Sequence, residues 1–126
     1  MKFLHSMIRV KDLEKSLKFY CDFIGLQVQD VKTLDDCKLY FLGNSESGDV
    51  QIELTDNFEK NGAYQNGNAF GHFAFGTDNM SKTEEKMNKL GYKWLYEPFQ
   101  LNAVSSTIAF IKDPDGNEIE IIQKNN

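Results

Sequence analysis

The sequence predicts an α+β fold built from two βαβββ modules, and three observations carry the prediction. The order strand, helix, strand, strand, strand occurs twice, over about residues 1–56 and 70–126. Each expected helix ends on an apolar residue followed by glycine, in Ile24-Gly25-Leu26 and in Leu90-Gly91-Tyr92. The two histidines of the chain, His5 and His72, each precede a glutamate, Glu53 and Glu120, by 48 positions. The same βαβββ order could also arise without duplication in an ordinary α+β domain.

In the first module, residues 2–10 have strand composition and Asp12 follows as a helix N-cap. Leu13, Leu17, Tyr20 and Ile24 recur at helical spacing, and Gly25 ends the helix. Residues 26–33, 37–43 and 50–55 read as three strands, separated by polar turns such as 44–49. The Asn-, Gly- and charge-rich stretch 56–69 reads as a linker. In the second module, residues 70–77 form a strand and Ser81-Lys82-Thr83-Glu84 reads as a capping box. The helix runs from there to Leu90 and stops at Gly91. Residues 92–96, 106–111 and 118–123 are three more strands, and Asp113-Pro114-Asp115-Gly116 turns between the last two.

A chain of 126 residues fits one domain, and 40% hydrophobic with 13% aromatic residues fills its core. A module of about 55 residues buries too little surface to stand alone, so the halves are expected to pair, within the chain or across a dimer. A formal charge of −5 and the lack of a basic stripe exclude a general nucleic-acid binder. No apolar run has the length of a membrane span, and the N-terminus shows no signal-peptide core. Cys21 and Cys37 are too few for a disulfide framework. Cys21 is expected to be a buried thiol and Cys37 a strand residue, in a reduced, cytoplasmic setting.

The chemistry resides in the two His/Glu pairs. Each histidine falls in the first strand of its module and each glutamate in the last. Strand alternation is a second, independent observation. Ile52 and Leu54 flank Glu53, Ile119 and Ile121 flank Glu120, and Phe73 follows His72. Each polar candidate thus lies opposite an apolar row able to pack under a helix, while Gln51 and Thr55 share the side of Glu53. Two such sheets, curved so that their polar faces line one cavity with the helices outside, would gather His5, Glu53, His72 and Glu120 around one divalent ion. Imidazole nitrogen and carboxylate oxygen suit zinc, nickel, cobalt, manganese or ferrous iron, and leave positions for water or substrate. Taken singly, a strand histidine is more often a hydrogen-bonded structural residue and a glutamate near a chain end is usually solvated. The shared spacing and parity set these four apart.

Several motifs together resemble glyoxalase I (lactoylglutathione lyase) of the vicinal oxygen chelate superfamily. They are His5-Ser6-Met7-Ile8-Arg9-Val10, Phe19-Tyr20, Gly25-Leu26, Ile52-Glu53-Leu54-Thr55, Gly71-His72, Ile108-Ala109-Phe110 and Asp113-Pro114-Asp115-Gly116 with Ile119-Glu120. The resemblance spans nearly the whole chain in order. It implies a paired βαβββ fold, a homodimer with metal sites between modules, and His5, Glu53, His72 and Glu120 as ligands. It implies a reaction in which the hemithioacetal of methylglyoxal and a thiol loses a C–H proton to a glutamate and regains one at the neighbouring carbon. The product is the S-lactoyl thioester. Glu120 is the expected base and Glu53 its counterpart. Arg9 and Asn57 match positions that hold the glutathione carboxylates and amides. The short chain resembles the nickel- or cobalt-activated branch more than the zinc branch.

One stretch departs from the pattern. Before Ile108 the family usually carries a Gly-Pro-Val-Lys-type clamp on the thiol, whereas residues 99–106 here contain neither lysine nor glycine. The thiol is therefore glutathione or another small thiol. Two other readings belong to the same architecture. Extradiol-type dioxygenases and thiol-transferring resistance proteins use two histidines and one glutamate, so Glu53 counts against them. A non-catalytic small-molecule binding protein would typically lose the ligand set, which this chain keeps.

Overall fold

The computed structural model describes residues 1–125, which fall into two compact units, residues 1–65 and residues 66 onward. The first unit contains β1 (His5–Arg9), α1 (Leu13–Leu17), β2 (Gln27–Thr33), β3 (Cys37–Gly43) and β4 (Gln51–Asn57). The second contains β5 (His72–Gly76), α2 (Met80–Lys89), β6 (Tyr96–Leu101), β7 (Ser106–Lys112) and β8 (Glu118–Lys124). Each unit is a four-stranded mixed sheet, ordered β1-β4-β3-β2 in one and β5-β8-β7-β6 in the other. The first strand runs parallel to the last, and the remaining neighbours are antiparallel. This is the βαβββ order expected twice over.

The first helix begins where expected, with the Asp12 carboxylate accepting from the Lys15 amide at 3.2 Å. It then changes character. α1 is five residues long and continues as a π-helical segment, Lys18–Phe23, closed by Ile24 N–H donating to the Phe19 carbonyl at 3.0 Å. The wider turn puts Phe19, Tyr20 and Phe23 together on the buried side, with ring centroids 5.0 and 5.6 Å from Phe19. Apolar periodicity alone cannot distinguish this from a continuous α-helix. Cys21, expected to be buried, sits on the flank of this segment and is only half-buried; Cys37 is the buried thiol.

The second helix begins two residues earlier than the Ser81 capping box suggests. Asn79 is the N-cap and its side chain accepts from the Lys82 amide at 3.0 Å. Asparagine caps as well as serine does, and Met80, buried just after it, donates its amide to Gln123 at 2.5 Å. At the other end Gly91 takes φ +83°, and the Tyr92 amide reaches the Met87 carbonyl at 3.0 Å, the αL exit that glycine permits. The strand expected at 92–96 instead starts at Tyr96 and runs to Leu101. Residues 92–95 complete the helix exit, where the Trp94 indole donates to Glu84 at 2.6 Å. Strand 1 is also shorter than residues 2–10, and β4 extends through Asn57 into the expected linker.

The core of the first unit includes Val10, Phe19, Tyr20, Leu42 and Leu54, all fully buried. That of the second includes Met87, Ala109, Ile111, Ile119 and Ile121. Asp113-Pro114-Asp115-Gly116 is a structural turn. Gly116 N–H donates to the Asp113 carbonyl at 3.0 Å, and the Asp113 carboxylate accepts from the amides of Asp115 and Asn117. Among the described residues, no helix is long and apolar enough to cross a membrane.

Candidate metal centre

Parallel pairing of the outer strand with the last strand brings together residues far apart in sequence. In the first unit His5 is level with Gln51 and Met7 with Glu53. In the second His72 is level with Glu118 and Ala74 with Glu120. Each histidine therefore stands one two-residue step from its glutamate, on the same face of the sheet, in an identical register. The side chains meet. His5 Nε2 lies 3.5 Å from Glu53 Oε1, and His72 Nε2 lies 2.9 Å from Glu120 Oε2.

These separations suit two ligands of one ion. Donors each about 2.1 Å from a small divalent cation stand about 3.0 Å apart at a right angle and about 3.4 Å apart at the tetrahedral angle. The carboxylates are the more enclosed members, at 10% and 15% exposure against 39% for each imidazole. Among the described residues the donors form two pairs, and no group of three or more His, Cys, Asp or Glu could hold an ion. Each unit thus places one imidazole nitrogen beside one carboxylate oxygen. That donor set fits a borderline transition-metal ion.

Each imidazole also rests on a ring that sequence reasoning missed. Phe41, level with Glu53 on β3, meets His5 edge-on with centroids 5.6 Å apart. Phe110, level with Glu120 on β7, meets His72 at 5.4 Å and 89°. An edge-to-face contact fixes the plane of the ring and hence the direction of its lone pair. Phe41 hides in the continuous apolar run Leu39-Tyr40-Phe41-Leu42, where strand parity cannot be read. Phe110 was visible only as part of a motif.

Thr55, one step along β4 from Glu53, donates its hydroxyl to Glu53 Oε2 at 3.0 Å, and both residues are buried. Arg9 is level with Thr55 on the same face and exposed. Its charge opposes the rise in the pKa of Cys37, a rise caused first by burial and then by Asp36 and Glu53. Asn57 lies two residues beyond Thr55, on the same side of β4, and its amide donates to the Tyr64 hydroxyl at 3.1 Å. Tyr64 was concealed in the polar linker. The segment that replaces the expected clamp is a tight turn. Asn102–Val104 form a 3-10 turn ending at Ser105 in left-handed conformation, φ 49° and ψ 49°. Gln100, Thr107 and Asn125 cross-link it through hydrogen bonds of 2.8, 2.8 and 3.3 Å.

A duplicated βαβββ unit carrying one His/Glu pair per copy is the architecture of a vicinal oxygen chelate protein. The profile of the Glyoxalase/Bleomycin resistance protein/Dioxygenase superfamily matches residues 2–121. The Synechocystis protein named "Probable lactoylglutathione lyase" is 42% identical over 98% of this chain and 95% of its own length. The crystal structure of glyoxalase I from Zea mays has a TM-score of 0.86 and 32% identity over 99% of this chain. This chain spans 45% of the maize chain. The trypanothione-dependent glyoxalase I of Leishmania major has a TM-score of 0.81 and 33% identity, over 98% of this chain and 87% of that one. The chain belongs to the glyoxalase I (lactoylglutathione lyase) family, and it is a glyoxalase I-like enzyme.

Proposed function

We propose that the chain isomerises the hemithioacetal of methylglyoxal and a small thiol to the S-lactoyl thioester, with His5, Glu53, His72 and Glu120 holding one divalent ion. The observation that carries this is the identical register of the two half-sites, each with its donors at ligand-to-ligand separation. Two carboxylates balance the 2+ charge and two imidazoles complete a four-donor set. Ni²⁺ or Co²⁺ is favoured, with Zn²⁺ as the alternative. When bound, the ion supplies Lewis-acid stabilisation of the negative charge that develops on the substrate oxygens.

The residues of the chain perform the proton transfer. Glu120 takes the proton from the thiol-bearing carbon and returns it to the neighbouring carbon, so the reaction is an internal redox exchange needing no outside oxidant. Glu53 is the counterpart carboxylate on the opposite half-site. Arg9 and Asn57, on the Glu53 face of the first sheet, bind the carboxylate and amide groups of the thiol. Two donors per unit suit a pairing of modules, within one chain or across a homodimer. The thiol itself is glutathione or a relative. The lysine-free turn at 102–105 favours a thiol gripped elsewhere, and the Leishmania relative is trypanothione-dependent. Free Cys21 and Cys37 suit a reduced, cytoplasmic setting.

The test is thioester formation, with nickel, cobalt and zinc each supplied to metal-stripped protein, against a panel of thiols. Turnover is expected with nickel or cobalt and one thiol, and Glu120→Gln is expected to abolish it. An inactive protein under every metal and thiol removes this reading and leaves the fold intact.

A further inference from the structure

The two half-sites share a register, yet they differ at the residue one step beyond the glutamate. In the first, Thr55 donates its hydroxyl to Glu53 Oε2 at 3.0 Å, while Glu53 Oε1 is the oxygen that faces His5 at 3.5 Å. The carboxylate is thus divided, one oxygen turned inward and held, the other presented. In the second, the residue two beyond Glu120 is Ile122, which has no donor to offer. The register shows these positions to be equivalent: Thr55 is level with Arg9 in β1, and Ile122 with Gly76 in β5, each four residues past its histidine.

We propose that Thr55 is a positioning residue that pins Glu53 as the fixed ligand, and that Glu120, in contact with His72 at 2.9 Å but given no hydroxyl by Ile122, is the carboxylate left able to carry a proton between two carbons. This rests on the metal site proposed above. The physical reason is geometric. A carboxylate tied at one oxygen by a buried hydroxyl cannot rotate about its terminal torsion without abandoning that hydrogen bond. Such a group presents one lone pair in one direction, which suits metal retention. A base that must take a proton from one carbon and deliver it to the next has to swing by about an ångström or more, and a tether would oppose that motion. Duplication supplies two glutamates in equivalent places. The threonine/isoleucine difference gives them separate duties.

The test separates retention from turnover. Nickel affinity is measured by titration calorimetry on metal-stripped protein, alongside kcat and KM of the nickel form. Thr55→Val, isosteric and without a donor, is expected to weaken nickel binding at least tenfold, and Thr55→Ser is expected to restore it to within about threefold. Ile122→Thr, which gives Glu120 the missing tether, is expected to bind nickel at least as tightly as the parent and to lower kcat at least tenfold with KM unaltered. Ile122→Val, smaller but still apolar, is expected to keep kcat within about threefold and so controls for lost packing. Far-UV circular dichroism and melting temperature establish that each variant is folded. A folded Thr55→Val that binds nickel like the parent overturns the proposal, and so does failure of serine to rescue. An Ile122→Thr enzyme with parental kcat overturns the half concerning Glu120. A parent protein that binds no nickel, cobalt or zinc refutes the metal site itself and this inference with it.

Discussion

The two units of this chain have one blueprint and different surfaces. Both order their strands with the last element beside the first, both place histidine one step from glutamate, and both set an aromatic ring edge-on to the imidazole. Beyond these shared parts they part company. On the shared face Met7 of the first unit matches Ala74 of the second, and Arg9, Thr55 and Asn57 match Gly76, Ile122 and Lys124. In the second unit Tyr96 packs on Phe110 at 5.8 Å. Duplication has preserved the His/Glu pairing and let the surroundings specialise. The first unit places a guanidinium and a hydroxyl where the second has a glycine and an isoleucine.

The comparison can be broken most decisively at the glutamates. Glu120→Gln is expected to lower kcat by at least about 1,000-fold, the scale of losing a positioned base. Glu53→Gln is expected to act first on metal retention, so that excess nickel recovers part of the activity. Steady-state kinetics across a nickel series checks both, and equal behaviour of the two variants would erase the division of labour. Next in size come the cores. Leu54 is fully buried behind Glu53 and Ile121 nearly so beside Glu120. Leu54→Ala and Ile121→Ala are each expected to cost about 3 kcal/mol, read by urea denaturation. A transition that splits into two steps in only one variant would show that the units unfold separately.

Smaller effects sharpen the picture. Phe41→Leu and Phe110→Leu are each expected to cost about 1 kcal/mol by removing the edge-on ring contact. They should also weaken nickel binding severalfold, since the imidazole then turns freely. Calorimetry and melting temperature check this pair. The smallest effect belongs to Cys37, whose thiol burial holds above its ordinary pKa. An acid with a raised folded-state pKa contributes stability that is full below the unfolded-state value and lost as pH climbs through the folded one. Between about pH 8 and pH 10 the melting temperature should therefore fall less steeply in Cys37→Ala than in the parent. Parallel slopes would contradict this.

Much of the fold was legible in the sequence because its signals are local. Asp12 and Gly91 punctuate the helices, alternation about Glu53 and Glu120 marks the last strands, and the 48-residue spacing declares the duplication. What stayed hidden depends on neighbours that local signals do not report. The π-helical turn keeps Phe19, Tyr20 and Phe23 on one core, as an α-helix would, so the apolar pattern does not reveal it. Asn79 displaced Ser81 as the cap because Met80 had a buried place and a partner in Gln123, 43 residues away. The Thr55 hydroxyl was known to share a side with Glu53, but the hydrogen bond between them is a matter of rotamers. Phe41 could not be assigned a face while every neighbour in its strand was apolar. Register, which comes from pairing, supplied it.

The parallel pairing of β1 with β4, and of β5 with β8, has a consequence for how the protein matures. Nothing in the 47 intervening residues holds a histidine near its glutamate until the final strand of the module slots in beside the first. A chain clipped before residue 118 keeps the His5/Glu53 pair of the first unit but lacks Glu120, so the second pair cannot form.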